Sequence, residues 1–248
     1  MDRRDFLKRS GAAVAGASGV MSLPVLGGCS TEAAQAEAPT KLAGTKWGMV
    51  IDLTRCREDC TACMDACREE NNVAYHGDRR WDIHWIRKAS LHPKDESAGL
   101  EEKEVLLMCN QCDDPPCAMV CPVQATYKRE DGIVLVDHHR CIGCRYCMIA
   151  CPYNARFFNW KENPEWPNKD YPRRSHGVAE SCHFCAHLID GGGRPACVEA
   201  CEEAGHRALI FGDLNDPESE VARLVAQGGA KRIRDDWGTQ PKVYYLGL

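Results

Sequence analysis

The stretch Cys141-Ile-Gly-Cys-Arg-Tyr-Cys-Met-Ile-Ala-Cys151 places four thiols within eleven residues, and three more groups of four lie elsewhere in the 248-residue chain. They are Cys56, Cys60, Cys63 and Cys67; Cys109, Cys112, Cys117 and Cys121; and Cys182, Cys185, Cys197 and Cys201. The Cys141 group reads C-x2-C-x2-C-x3-C-P. Three thiolates two residues apart, on a loop curled round one point, can hold three corners of an iron–sulfur cubane. The fourth thiol, on the helix that follows, faces away and serves a second cluster. Zinc is satisfied by pairs of cysteines and rarely takes a tight triplet. The Cys109 group is a variant with a wider loop, Asp113-Asp-Pro-Pro116, before its third thiol. The Cys56 group is C-x3-C-x2-C-x3-C, and the Cys182 group carries an eleven-residue insertion containing Gly191-Gly-Gly193. Alone, that last group could pass for a zinc ribbon; as one of four it points to a cluster. A disulfide framework does not produce four quartets that each end in C-x3-C, and no C-x-x-C is followed by His, which excludes covalent haem.

Composition agrees with a chain whose interior is organised around something other than large side chains. It is 44% hydrophobic but only 7% aromatic, with mean hydropathy −0.43 and 17 cysteines. A formal charge of −5 offers no basic field for nucleic acid.

Short elements must hold the thiols in place. Ala125–Glu130 and Ile133–Val136 read as strands around Asp131-Gly132, a strong hairpin signal. That hairpin joins the Cys109 and Cys141 quartets, both of which end in Cys-Pro, into one unit. Met49–Leu53 and Ala208–Phe211 read as strands flanking the Cys56 and Cys182 quartets. The expected class is α+β: two ferredoxin-like modules, the inner one continuous and the outer one split around it. The expected boundaries are 46–106 for the first half of the outer module with an insertion, 107–160 for the inner module, 161–181 for an aromatic and proline-rich loop, 182–213 for the second outer half, and 214–248 for a C-terminal helix and tail.

Residues 1–29 read as a twin-arginine export signal: Asp2-Arg3-Arg4-Asp5-Phe6-Leu7-Lys8 precedes an apolar stretch, Gly11–Leu26, too short and glycine-rich for a good membrane span. Export of a thiol-rich chain to an oxidising compartment would invite disulfides. The twin-arginine route carries folded proteins, so clusters can be inserted first, and the expected location is the periplasmic side of the cytoplasmic membrane. Leu26-Gly-Gly-Cys29 resembles a lipobox, making Cys29 a lipidation candidate, with a linker over 30–45; Ala34-Gln-Ala36 is a rival cleavage site.

From about Trp47 to Leu214 the chain resembles the four-cluster ferredoxin-like subunits of respiratory molybdopterin and sulfur-cycle complexes. "WGMVIDLTRC", "CNQCDDPPCAMVCPVQATYKREDGIVLVDHHRCIGCRYCMIACPYNARFFNW" and "CVEAC…ALIFGDLNDPESEV" carry the likeness. Within that family, Cys56-Arg-Glu-Asp-Cys60, "NNVAYHGDRRWDIHWIRKA" and "RFFNWKENPEW" look most like the exported iron–sulfur subunit of the Dsr membrane complex. The resemblance implies four [4Fe–4S] clusters with exchanged fourth ligands: Cys56, Cys60, Cys63 with Cys201; Cys182, Cys185, Cys197 with Cys67; Cys109, Cys112, Cys117 with Cys151; and Cys141, Cys144, Cys147 with Cys121. It implies single-electron transfer within a membrane complex of sulfite reduction or sulfur oxidation, with an integral quinone-reactive subunit and an exported multihaem cytochrome c as partners. The iron–sulfur subunit of a polysulfide or dimethyl sulfoxide reductase, a freestanding multi-cluster ferredoxin and a zinc protein are the alternatives.

No catalytic constellation is visible: Gly191-Gly-Gly193 lacks the strand–helix context of a phosphate loop, and a cubane with four cysteine ligands leaves no iron open to substrate. The expectation is a non-catalytic electron-transfer subunit. His138, His139 and His183, near cysteine quartets, are expected to hydrogen bond or to lie at the surface, at most tuning potentials. The loop from Phe157 to Pro172 is either a docking surface or a lid over the inner module. Asp216-Pro217 is expected to open a short helix with Val221, Leu224 and Val225 on one face and Gly228 at its end. Lys231–Asp236 reads as a solvated turn.

Overall fold

The structure, a computed structural model, describes residues 44–91 and 103–248. The expected export signal, Cys29 and nearly all of the expected linker lie outside the described residues. Three strands form the main sheet: β1 (Trp47–Asp52), with β8 (Leu209–Asp213) antiparallel on one side and β9 (Val243–Leu246) parallel on the other. Register sets Met49 opposite Phe211 and Val243, and Val50 opposite Ile210 and Tyr244. Because strand side chains alternate between faces, Met49, Ile51, Leu209, Val243 and Tyr245 enter the main core, while Val50, Ile210 and Tyr244 face a second one. Both faces are covered, which is why β1 reads as a continuous apolar run rather than an alternating one.

Helix α1 (Ala62–Glu70) packs against α5 (Ala196–Glu203) beside this sheet. Between them in sequence come the hairpin β2–β3 (Arg87–Leu91, Lys103–Leu107), α2 (Pro116–Met119), the hairpin β4–β5 (Thr126–Lys128, Val134–Val136) and α3 (Tyr146–Ala150). Helices α2 and α3 pack together beneath β4–β5, repeating on a smaller scale what α1 and α5 do beside β1 and β8. Two-residue strands β6 (Phe157–Phe158) and β7 (Ala179–Glu180) pair antiparallel, and α4 (Ala186–Asp190) fills the insertion between Cys185 and Cys197. Helices this short are marginal alone. Their sulfurs are part of the packing: Cys63, Cys67, Cys109, Cys182, Cys197 and Cys201 lie in the main core among Met49, Trp85, Phe184 and Tyr245.

The expected strands are present with shifted ends. Hairpin β4–β5 keeps three residues per strand, and Asp131-Gly132 turns it: Gly132 has φ +81°, and the Asp131 carboxylate accepts the N–H of Ile133 at 3.1 Å. The C-terminal segment differs most from expectation. The helix, α6, spans Glu220–Ala226 and starts after Ser219, not at Asp216-Pro217. Asp216 instead closes a turn, accepting the N–H groups of Glu218 and Ser219. Val221, Leu224 and Val225 do pack together, on the second core. Lys231–Asp236 is more than a solvated turn. Lys231 exchanges backbone hydrogen bonds with Tyr245 at 2.9 and 2.8 Å, and Arg232 donates to the Tyr244 hydroxyl at 2.8 Å. Beyond it the tail becomes β9. The preceding Lys242 is buried, and its Nζ donates to the carbonyl of Gly132, tying the main sheet to β4–β5. Tyr245 donates to the Leu106 carbonyl at 3.0 Å.

The aromatic and proline-rich loop is tied to the end of α1, and its Tyr171 and Pro172 line a cavity with Tyr127 and Leu135 of the inner hairpin. Asn72 Nδ2 donates to the carbonyls of Asn168 and Tyr171 at 2.9 and 3.0 Å, Asn163 Nδ2 donates to the Asn72 carbonyl at 2.8 Å, and Arg174 Nε donates to the Asn71 carbonyl at 2.7 Å. Among the described residues no helix is long and apolar enough to cross a membrane.

Candidate iron–sulfur centres

Three of the four quartets begin with a pair C-x-x-C whose second intervening residue takes the left-handed conformation: Gln111 at φ +47°, Gly143 at +69° and Phe184 at +54°. That reversal curls the loop and turns the flanking thiols toward one point. Glycine adopts it freely, whereas other residues lose roughly 1–2 kcal/mol. Gln111 and Phe184 are held by other means. Gln111 donates to the Cys182 carbonyl at 2.7 Å and accepts the N–H of Val134 at 2.6 Å, and Phe184 is buried edge-on against Phe211 at 5.3 Å. At Gly143 a side chain is excluded twice, since a Cβ would stand 2.5 Å from the carbonyl oxygen of Gly177.

The last cysteine of three quartets is set by a second recurring device. Cys121, Cys151 and Cys201 accept the backbone N–H of Ala125, Ala155 and Ala208 at 3.2, 3.5 and 3.2 Å. All three alanines are buried, as is Ala74, which follows Cys67 at the spacing by which Ala208 follows Cys201.

The thiols gather across quartets. One cavity is lined by Cys56, Cys60, Cys63 and Cys201 with Leu106 and Leu209, and another by Cys121, Cys141, Cys144 and Cys147 with Val123, Ile142 and Ala179. Cys67 stands among Cys182, Cys185 and Cys197. Asn71 Nδ2 reaches the sulfurs of Cys185 and Cys67 at 3.4 and 4.0 Å. Cys109 and Cys112 each neighbour Cys117 and Cys151. In every gathering three sulfurs come from one quartet and the fourth from another.

Burial, reinforced by neighbouring thiols, pushes Cys63 and Cys182 up to about 12 and Cys147 to about 11, and holds Cys67, Cys109 and Cys197 well above the ordinary thiol value. Cys121 goes the other way: burial raises it, but the N–H groups of Thr126, Val123, Ala125 and Gln124 outweigh burial and hold it low. Thiols crowded in an apolar interior ionise when a cationic metal core arrives to compensate them. The donor sets suit an iron–sulfur core: sulfur only, around apolar space, with backbone N–H groups on the sulfurs. They suit zinc poorly. A tetrahedral zinc site, with Zn–S about 2.3 Å, needs sulfurs about 3.8 Å apart, and among the described residues no three His, Cys, Asp or Glu side chains close round a single ion.

Three polar side chains at the sulfurs are not foreseen from the sequence. They are Asn71, Gln111, whose Nε2 lies 3.7 Å from the Cys109 sulfur, and Arg156, which donates to Cys117 at 3.0 Å. Their positions inside or just after the cysteine motifs are the only signal the sequence carries. Of the three histidines near the quartets, His183 makes side-chain hydrogen bonds. Buried His183 accepts the N–H of Ala186 on Nδ1 at 3.2 Å, meets the Tyr171 hydroxyl at 3.3 Å and packs edge-on to Trp85. Burial and then Arg174 keep it neutral, and the same two causes lower His138 to about 4.

The model of the 4Fe-4S dicluster domain matches residues 105–166, which contain the Cys109 and Cys141 quartets. Across its full length the chain is 40% identical to Hdr-like menaquinol oxidoreductase iron–sulfur subunit 1 of Archaeoglobus fulgidus, covering 98% of that protein. The chain belongs to this family of iron–sulfur subunits. It is also 40% identical to the menaquinone reductase iron–sulfur cluster-binding subunit of Nitratidesulfovibrio vulgaris, over 81% of this chain and 88% of the relative. One subunit of tetrathionate reductase from Salmonella typhimurium is 38% identical over 99% of this chain and 88% of its own length. Membership accounts for the thiol-only donor sets and the α+β fold. It also makes [4Fe–4S] clusters the cofactor class of this chain.

Proposed function

We propose that the chain is the electron-relay subunit of a membrane-bound oxidoreductase, with all sixteen cysteines of the quartets holding four [4Fe–4S] clusters in two ferredoxin-like modules. The observation that carries this is the exchange of last cysteines. Cys201 lines the cavity of Cys56, Cys60 and Cys63, and Cys121 lines that of Cys141, Cys144 and Cys147. Each bound cluster would take up or release one electron. The chain's own part is to fix the sulfurs, aim N–H groups at them and keep water out.

Neighbour relations give the four sites an order. Cys63 adjoins Cys67 and Cys197, Cys109 adjoins Cys182, and Cys117 adjoins Cys147. The sequence is therefore the Cys56 site, the Cys182 site, the Cys109 site and the Cys141 site. Five of the six partly exposed thiols lie at the two ends, Cys56 and Cys60 and then Cys121, Cys141 and Cys144, with Cys151 of the Cys109 site the sixth, whereas Cys67, Cys182, Cys185 and Cys197 are all buried. Electrons would enter at one end and leave at the other.

We place this relay on the periplasmic side of the membrane, between an integral quinone-reactive subunit and a multihaem cytochrome c, in a Dsr-type complex of sulfur metabolism. The names of the relatives from A. fulgidus and N. vulgaris, a menaquinol oxidoreductase and a menaquinone reductase, support the quinone side. The tetrathionate reductase relative supports a second assignment, to a molybdopterin-type reductase. Affinity capture of the native protein from detergent-solubilised membranes, followed by mass spectrometry, separates the two. Co-recovery of an integral membrane subunit with a c-type cytochrome is expected. A molybdopterin subunit in place of the cytochrome supports the second assignment, and recovery without any membrane subunit contradicts both.

A further inference from the structure

Arg156 is a buried cation with no carboxylate. It is 4% exposed, and among the described residues no Asp or Glu lies within ion-pair distance. Its Nη2 donates to the Cys117 sulfur at 3.0 Å, its Nη1 is buried without a hydrogen-bond partner, and Cys109 and Cys147 are its other electrostatic neighbours. It thus stands between the site of Cys109, Cys112, Cys117 and Cys151 and that of Cys141, Cys144, Cys147 and Cys121.

The backbone does not demand an arginine here. The residue follows Ala155, whose N–H meets the last cysteine of its quartet; after Ala125 and Ala208, which do the same, stand Thr126 and Leu209. One of these three equivalent positions carries the guanidinium. The buried cation nearest the Cys182 site, Arg174, has a carboxylate facing it: Glu180 lies 3.9 Å away. Half-buried Arg87, which donates to the Tyr153 carbonyl at 3.1 Å and neighbours Cys151, adds positive charge on the Arg156 side, and Arg145 lines the cavity of the Cys141 site.

A buried unpaired charge is costly and is kept where something compensates it. Four thiolates round a [4Fe–4S] core carry net negative charge, and reduction adds one more. We infer that Arg156 is a positioning and charge-compensating residue shared by the Cys109 and Cys141 centres, and that it stabilises the reduced forms of those two. This rests on the four-cluster reading above.

The test is a mediator-controlled redox titration, followed by electron paramagnetic resonance, of fully loaded protein and its Arg156→Gln and Arg156→Lys variants. Iron and sulfide are measured on the same samples, so that loss of a cluster is told apart from a shifted potential. In Arg156→Gln, two of the four midpoints should fall by at least about 59 mV, equal to a tenfold lower ratio of reduced to oxidised centre at fixed potential. The other two should stay, and Arg156→Lys should recover most of the shift. Full loading with all four midpoints unchanged overturns the inference, as does an equal shift of all four. If Arg156→Gln loses iron, Arg156→Lys decides: loaded with parental midpoints, it supports charge compensation, and loaded with midpoints as low as a neutral variant should show, it contradicts it. Loss of iron in both variants also overturns the inference, because the residue then builds the site without tuning it.

Discussion

Replacing Cys121 by alanine should remove about four irons per chain and erase the centre on Cys141, Cys144 and Cys147, while the centre beside it in sequence, on Cys109, Cys112 and Cys117, survives. The thiol of Cys121 lines the former cavity together with Ala179 and Ile142, and its orientation is fixed by the N–H of Ala125 at 3.2 Å. The helix α2 that precedes it ends at Met119, so the chain carries Cys121 away from the sulfurs of its own quartet. Iron analysis combined with electron paramagnetic resonance of the reduced protein reads the result directly. Loss of the Cys109 centre with the Cys141 centre intact would mean that each quartet serves its own cluster, and the exchange of last cysteines would be wrong.

On the proposed twin-arginine route, changing Arg3 and Arg4 to lysine should reduce the exported protein by about tenfold or more and leave cluster-loaded protein in the cytoplasm, since a translocase of that type reads such a pair as its address. Charge is conserved in this double substitution, so a large effect isolates recognition of the guanidinium groups from simple electrostatics. Both residues lie in the N-terminal segment outside the described residues. Fractionation into periplasm, membrane and cytoplasm, with immunodetection in each, measures the distribution. A lysine variant that reaches the periplasm in parental amount contradicts the proposed route and, with it, the reason for loading clusters before export.

Cysteine spacing makes the sites legible because a cluster dictates local chain geometry: each quartet opens on two thiols with only two or three residues between them, even where, as before Cys117 and Cys197, the third stands further off. The hairpin at Asp131-Gly132 is legible for a similar reason, since its turn chemistry is local. What stays hidden depends on partners distant in sequence. Val243–Leu246 becomes a strand by pairing with β1, nearly two hundred residues earlier, and its flanking Lys242 is buried because Gly132 and Asp113 receive it. The loop over 161–181 cannot be assigned to the end of α1 from its own composition. The anchor, Asn72, has no pattern in its neighbourhood that marks it as a hub of five hydrogen bonds to that loop. Gln111 and Phe184 in left-handed backbone are equally hidden, for Gly143 shows the requirement only in its own quartet. Arg156 lies within a recognisable motif yet does not stand out there, because a guanidinium is ordinary on a surface and unusual only once its burial is known.

The measurement that bears most directly on a four-cluster relay is the iron, acid-labile sulfide and zinc content of protein prepared without oxygen. Sixteen thiols in four exchanged sets call for about sixteen irons and sixteen sulfides per chain and no stoichiometric zinc. Saturation near eight irons, or zinc in place of iron in any of the four sites, would contradict it.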